Sequence, residues 1–323
     1  MQGTIVGVLR GGPSREHEVS LQTGQAMLSN LSAEHFAVRD IYIDRQGVWH
    51  ERGAQIAPER ILQNVDVVLN GLHGEYGEDG EVQKLLERYN VPYVGSNSLA
   101  SFLAMHKVLA KHHAEEAGLK TPRFRLAESP EDISRVAQEA VHDFLQPVVV
   151  KPVRWGSSIG VSVVSGYAAV EEALNRLFAE GAGAVMVEEC IRGREATVGV
   201  VENLRGETLY ALPPTEIIPP ASAGFFSAEV KYTGATQEIC PADFSPAIKR
   251  ELAQAARTAH HMLGLRHYSR SDFIVSPHGV YFLETNTLPG LTNESLLPRE
   301  LAAVGISLKE FFSHLVSLAL NRV

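Results

Sequence analysis

The sequence predicts an α/β (α+β) protein, and three observations predict it. Strand-like runs alternate with helical patterns through the first 95 residues. A buried-looking strand then leads into a Gly/Ser-rich loop near the middle, and a tight β-hairpin lies in the last third. Alternation of the first kind builds a parallel sheet flanked by helices, with ligands received at the C-terminal strand ends.

The elements follow in order. Apolar runs at 4–9, 37–43, 65–72 and 91–95 read as strands. Between them Val19, Thr23, Ala26, Met27 and Leu31 recur at helical spacing over 16–31, and 79–89 reads as a short helix. Residues 98–118 read as one helix that stops near Gly118, with Pro122 beyond the stop. A helix over 130–142, the strand Val148-Val149-Val150, a second strand at 161–165, a helix over 167–180 and a strand at 184–190 make a small α+β unit. Further on, Ser245-Pro246 is an N-cap and N1 pair and Gly264 a stop. Between them Ile248, Leu252, Ala255, Ala259 and Leu263 form one apolar stripe. The last helix carries Leu308, Phe311, Phe312, Leu315 and Leu318 on its apolar face. Boundaries near 96 and 190 divide the chain into units 1–95, 96–190 and 191–323. Segment 218–236, with Pro219, Pro220, Gly224 and Gly234 and little periodicity, reads as a mobile loop.

The 323 residues are 45% hydrophobic and 21% charged, an ordinary globular balance long enough for about two or three cores. A net charge of -9, with acids and bases interspersed, argues against a nucleic-acid face. Two cysteines, Cys190 and Cys240, make no disulfide framework and read as reduced thiols. No apolar run approaches the roughly 18 residues that span a bilayer, and no basic leader precedes the first strand. The expectation is a cytoplasmic protein with no membrane partner. Thirteen histidines show no zinc-ligand spacing, so zinc is not expected.

The hairpin carries the strongest chemical signal. Pro277-His278-Gly279 reads as a three-residue loop that pairs Ser276 with Val280. Counting back, Asp272 faces Glu284 and Arg270 faces Asn286. Side chains alternate across a strand, so Phe273, Val275, Tyr281 and Leu283 share an apolar face. Ile274, Phe282 and the polar set share the other. Opposed carboxylates are unfavourable in a ladder, yet two carboxylates and an amide oxygen suit Mg²⁺. A solvated hairpin with its acids paired to Arg270 would show the same pattern, and the pairing alone does not choose. The adjoining Thr285-Asn286-Thr287-Leu288-Pro289-Gly290 favours the metal, because a Pro-Gly loop can present N–H groups to a reacting oxygen.

Lys151 follows a buried strand and precedes Gly156-Ser157-Ser158-Ile159-Gly160, a loop able to fold over polyphosphate. Neither a Walker loop nor a G-x-G-x-x-G is present. The loop could equally be a plain turn, and Lys107 a solvated lysine. Glu188, at a strand end, and Glu195, in the next turn, could bind adenine and ribose or be ordinary acids.

Taken together, these motifs resemble those of the D-alanine–D-alanine ligases. Gly11-Gly12-Pro13-Ser14-Arg15-Glu16-His17-Glu18-Val19-Ser20 is similar to the family's N-terminal signature. Leu72-His73-Gly74 with Gly77-Glu78-Asp79-Gly80 is similar to its second, and Met105-His106-Lys107 to its helix lysine. Lys151-Pro152 with Gly156–Gly160 resembles the phosphate loop, and Glu229-Val230-Lys231-Tyr232 with Cys240-Pro241-Ala242 the closing loop. Arg270-Ser271-Asp272 and Leu283-Glu284-Thr285-Asn286-Thr287-Leu288-Pro289-Gly290-Leu291-Thr292, with Ser295-Leu296, complete a match running from about residue 4 to 320 in family order.

The resemblance implies an ATP-grasp fold behind an N-terminal Rossmann-like substrate domain. It implies ATP-dependent joining of two D-alanines through a D-alanyl phosphate, for peptidoglycan precursors, with two Mg²⁺ ions that Mn²⁺ can replace. It also implies a homodimer. Lys107 and Lys151 would hold the α- and β-phosphates and Lys231 the γ-phosphate. Glu188 and the Ile191 backbone would read adenine, and Glu195 the ribose. Asp272, Glu284 and Asn286 would carry the metals. Ile274 and Phe282 would floor the adenine. Glu16 would bind the first ammonium, with His73 near its carboxylate, and Ser157 and Tyr232 would join Glu16 in one hydrogen-bonded set. Arg270 and the Gly290 N–H would stabilise the tetrahedral oxyanion. Ser295, with Leu296, would bind the second carboxylate.

The chain departs from the family pattern at Trp155, where many members have an acid, and at His106, where many have Asp. Ser269 and Ser271 also flank Arg270 where a Gly and an apolar residue are usual. Relatives that use D-lactate or D-serine second, or a silent nucleotide binder, are the competing readings. Tyr232 favours the dipeptide, and intact Arg270, Asp272, Glu284 and Asn286 favour catalysis.

Overall fold

The computed structural model describes residues 3–31, 34–220 and 236–321. The first sheet is built from β1 (Thr4–Gly11), β2 (Phe36–Ile43), β3 (Trp49–Glu51), β4 (Ala54–Gln55), β5 (Val67–Asn70) and β6 (Tyr93–Val94). Its order is β4-β3-β2-β1-β5-β6. The strands read from the apolar runs, β1, β2, β5 and β6, pair in parallel. The antiparallel β3–β4 hairpin extends the edge through a stretch too short and polar to show a pattern. Helices α1 (His17–Asn30), α2 (Pro58–Leu62) and α3 (Glu81–Arg88) flank the sheet. One face buries Ile41 and Val68 against Ile61, Leu62, Val82 and Leu86. The other buries Val6, Val8 and Leu69 against Met27 of α1 and against Phe311, Phe312 and Leu315 near the C-terminus. Burial on both faces is why these strands read as continuous apolar runs.

The helix expected over 98–118 is two helices, α4 (Ser98–Met105) and α5 (Lys107–Glu116). His106 is extended between them, at φ -87° and ψ 93°. The Lys107 N–H, which would bond back along a continuous helix, instead donates to the Val153 carbonyl at 3.1 Å. The His106 imidazole accepts from the Leu109 N–H at 3.4 Å as a long cap on α5. A tertiary hydrogen bond thus breaks a helix that periodicity alone joins.

The second sheet has β7 (Phe124–Ala127), β8 (Val148–Pro152), β9 (Ser162–Val164) and β10 (Val185–Glu189), antiparallel in the order β7-β10-β8-β9. Helices α6 (Ile133–Asp143) and α7 (Tyr167–Ala179) close one face around Val136, Ala140, Val150, Leu174, Leu177 and Val187.

The third sheet comprises β11 (Arg194–Leu204), β12 (Glu207–Ala211), β13 (Thr215–Ile218), β14 (Gln237–Ile239), β15 (Tyr268–Ser276) and β16 (Gly279–Asn286). Helix α8 (Pro246–Met262) packs on it through the predicted stripe, with Leu252, Ala255 and Ala259 against Phe273 and Phe282. The Ser245 hydroxyl caps α8 by accepting from the Ile248 N–H at 3.3 Å. Helices α9 (Leu296–Ala303) and α10 (Leu308–Leu320) end the chain, and α10 returns to cover the first sheet.

The β15–β16 hairpin corrects the expected loop. Ser276 pairs with Gly279, so the turn holds two residues, Pro277 and His278. The Ser276 hydroxyl braces it, accepting from the His278 N–H at 3.0 Å and donating to the Gly279 carbonyl at 3.2 Å. A bulge between Asp272 and Phe273, with Leu283 the extra residue, then restores the pairs Asp272–Glu284 and Arg270–Asn286. The apolar faces change as a result. Phe282 stands opposite Phe273, ring centroids 6.0 Å apart, in the core under α8, and not beside Ile274.

Candidate active site

A cleft of about 1570 Å³ opens where the three sheets meet. Glu16 and His73 line it from the first, and Lys107, Lys151, Ser157, Glu188 and Ile191 from the middle of the chain. Glu195, Arg270, Asp272, Ile274, Glu284, Asn286, Gly290, Ser295 and Leu296 line it from the last third. Phe282 does not line it; Leu283, displaced by the bulge, does. Lys231 and Tyr232 lie outside the described residues.

Glu16 lies in the loop after β1, at the C-terminal end of the parallel strands. The Ser14 hydroxyl holds that loop, accepting from the Glu16 N–H at 3.1 Å and donating to the His73 carbonyl at 2.7 Å. Ser157, across the cleft, donates its hydroxyl to the Glu16 carboxylate. Two glycines admit that carboxylate. A Cβ at Gly74 would stand 2.7 Å from Glu16 Oε2, and one at Gly156 2.9 Å from it. His73 is buried, with Nε2 2.7 Å from the Thr23 hydroxyl.

The hairpin delivers the polar patch. Arg270 donates through Nε and Nη2 to the two Asp272 oxygens, both at 3.1 Å. Asn286 donates to Asp272 at 3.3 Å, and Thr197 from β11 donates to it at 2.5 Å. Glu284 pairs with Lys107 at 3.2 Å. Among the described residues no three acids, histidines or cysteines gather into a protein-only metal cage. Two carboxylates and one amide oxygen leave positions open to phosphate oxygens, as Mg²⁺ requires at nucleotide sites. The donor set fits that ion.

The lysines come from two elements, a helix and a strand. Lys107 opens α5 and donates to the Trp155 carbonyl at 2.7 Å, tying the helix to the Gly/Ser loop. Ser157 and Ser158 in that loop have positive φ, 50° and 56°, a backbone held only by its surroundings. Lys151 is the last residue but one of β8 and pairs with Glu188 at 2.8 Å. Lys111, one turn beyond Lys107, pairs with the other Glu188 oxygen at 2.8 Å. Burial pushes Glu188 up, but the two ammonium groups outweigh it and hold this carboxyl below its ordinary range. Burial lowers Lys111 in turn. Glu188 is a shared counter-ion between two lysines as well as an adenine candidate.

Beyond the hairpin, the Thr292 N–H donates to the Ser295 hydroxyl at 3.2 Å. A Cβ at Gly290 would meet that hydroxyl at 2.9 Å, so glycine lets the Pro289-Gly290 turn lie against Ser295 without a shift of its side chain. Ser295 is the N-cap of α9, makes no side-chain cap bond, and lines the cleft with Leu296. Free N–H groups at a helix start attract carboxylates.

Three acids and bases of this region were not singled out from the sequence. Lys111 could have been found from its i+4 spacing to Lys107. Glu78 lay inside a quoted motif; it accepts from the Gly74 N–H at 2.8 Å and the Leu288 N–H at 3.2 Å, joining the His73 turn to the Pro289-Gly290 turn. Burial, and then the charge of Glu16, push it up to about 8. Glu300, on α9, had no local signal. It is fully buried beneath the Gly199–Arg270 pair, accepting from the Gly199 N–H at 2.8 Å and the Thr215 hydroxyl at 3.2 Å. Burial pushes it up to about 8.

Comparison with known proteins matches residues 5–60 and 50–96 to the family model "D-ala D-ala ligase N-terminus", and 114–317 to "D-ala D-ala ligase C-terminus". The chain is 39% identical over 319 residues to the D-alanine–D-alanine ligase of Syntrophobacter fumaroxidans, covering 98% of this chain and 97% of that one. It is 37% identical to that of Desulfotalea psychrophila, covering 98% and 95%. Among solved structures, the VanG D-Ala:D-Ser ligase from Enterococcus faecalis superposes with a TM-score of 0.87 at 29% identity, covering 98% and 100%. The ATP complex of the Bacillus anthracis D-alanine–D-alanine ligase does so with 0.81 at 28%, covering 99% and 98%. With the cleft built on three sheets in this order, the chain belongs to the D-alanine–D-alanine ligase family and has its ATP-grasp fold.

Proposed function

We propose that the protein joins two D-alanines to D-alanyl-D-alanine at the expense of ATP, supplying peptidoglycan precursors. One observation carries the reading. Arg270, Asp272, Glu284 and Asn286 share one hairpin beside Gly290 and face Glu16 and Ser157 across a cleft large enough for nucleotide and two amino acids.

The first D-alanine carboxylate attacks the γ-phosphorus of ATP, giving D-alanyl phosphate and ADP. The neutral amine of the second attacks the acyl carbon, and phosphate leaves. In this proposal Glu16, held by Ser157, accepts from the first ammonium, and His73 stands near the first carboxylate. Lys107 and Lys151 neutralise the α- and β-phosphates, and Lys231 the γ-phosphate. Glu188 and the Ile191 backbone bind adenine over Ile274, and Glu195 binds the ribose. Asp272, Glu284 and Asn286 would hold two Mg²⁺ ions, which when bound offset phosphate charge; Mn²⁺ can stand in. Arg270 and the Gly290 N–H donate to the oxyanion as the amine adds. Ser295, with Leu296 and the start of α9, receives the second carboxylate. Tyr232, outside the described residues, would join Glu16 and Ser157 in one hydrogen-bonded set.

The loop expected at 218–236 lies for the most part, at 221–235, outside the described residues. The division into units 1–95, 96–190 and 191–323 belongs to the same proposal. So do a cytoplasmic location and a homodimer, which sedimentation would test. No single described helix is long and apolar enough to cross a membrane. The decisive assay supplies ATP, Mg²⁺ and a panel of D-amino and D-hydroxy acids, and identifies products by mass. D-Alanyl-D-alanine is the expected main product; a mixed dipeptide or an ester in its place would overturn the assignment.

A further inference from the structure

Arg15 and Glu16 are neighbours in the loop after β1, and both reach into the Gly/Ser loop of the second sheet. Glu16 accepts from Ser157, while the Arg15 guanidinium lies over the Trp155 indole, 3.8 Å from the ring centroid. Arg15 Nη2 also donates at 3.2 Å to the Glu180 carbonyl, the C-cap of α7, where the helix dipole favours a cation. The indole is buried on its other side: it joins the core of Val150, Leu174 and Leu177, and a Cβ at Gly160 would stand 3.3 Å from its edge. Its carbonyl holds Lys107. Trp155 is therefore rigid below and exposed to Arg15 above, and a flat guanidinium is the side chain that stacks there.

We propose that Arg15 and Trp155 form a latch that fixes the Gly/Ser loop against the first sheet, so that Ser157 reaches Glu16 while Lys107 stays on the Trp155 carbonyl. Both are positioning residues. The consequence for turnover rests on the ligase reading above. The latch couples the ammonium site for the first D-alanine to the loop over the phosphates. Breaking it weakens the first D-alanine and nucleotide together and leaves the second D-alanine untouched.

Two arms test this. In a Trp49→Phe background, whose remaining indole is Trp155, Arg15→Ala is expected to shift the emission to the red as the ring loses its cover. Arg15→Lys should shift it part of the way. Unchanged emission overturns the latch whether or not the protein is a ligase. In the second arm, Arg15→Ala, Trp155→Leu and the double variant are compared by first- and second-substrate KM, kcat and calorimetric Kd for ADP with Mg²⁺. The expected result is a roughly three- to five-fold rise in first-substrate KM and ADP Kd for each single variant, from an exposed stack of this kind. The double variant should be no worse than the worse single, and second-substrate KM should hold. Losses that simply add would overturn the coupling. If the wild type forms no dipeptide, the ligase reading falls, while the emission and ADP arms still decide the latch.

Discussion

At Arg270 a buried guanidinium donates to both oxygens of Asp272 and lines the cleft beside Gly290. One preorganised oxyanion donor is worth about 10²–10³ in rate. Arg270→Ala is therefore expected to lower kcat by about that factor with a smaller change in KM, read from ADP release; near-normal turnover would remove Arg270 from the chemistry. Glu300 makes a different prediction. Its folded pKa of about 8 exceeds its ordinary 4.5, so the folded protein binds the extra proton between those values. The stability it contributes is complete below the lower value and is lost as pH rises through the upper one. Glu300→Gln copies the protonated acid and removes that slope. The variant should melt several degrees above wild type near pH 8.5 and close to it near pH 5. Parallel melting curves against pH would show that Glu300 stays ionised.

At the scale of the elements, the hairpin shows what a sequence can and cannot express. The opposed carboxylates were legible, because Asp272 and Glu284 pair as strand counting requires. The route to that pairing was not, since Pro277-His278-Gly279 is compatible with either turn length and Leu283 carries no mark of a bulge. Two errors of one residue cancelled at Asp272 and left Phe282 on the wrong face. Phe282→Ala should accordingly cost about 3–5 kcal/mol in urea unfolding, as for a core phenylalanine. Ile274→Ala should chiefly weaken ADP binding by calorimetry. The reverse pattern would return Phe282 to the cleft. Helix α4–α5 failed to show its break for a related reason: the bond from Lys107 to the Val153 carbonyl joins residues far apart in sequence.

For the whole molecule, the parallel strands were legible as apolar runs and the hairpin by its alternation and turn, whereas β11 to β14 of the third sheet were not read. The contacts that assemble the sheets were not legible either. α10 covers the sheet that opens the chain, through Phe311, Phe312 and Leu315, though its sequence says only that it is amphipathic. Glu16, Lys151 and Arg270 stand in three distant stretches, and their convergence on one cleft was reached by resemblance, since no local pattern encodes it. Glu300 escaped notice, and Glu78 was quoted in a motif without a role, because an acid is ordinary until its surroundings are known.

The central claim is that this cleft activates a carboxylate as its acyl phosphate. D-Alanine labelled with ¹⁸O in both carboxylate oxygens, incubated with ATP and Mg²⁺, tests it by mass spectrometry of the released phosphate. Each phosphate should carry one ¹⁸O, matched by one D-alanyl-D-alanine. Unlabelled phosphate would mean that water, and not the substrate carboxylate, takes the γ-phosphoryl group.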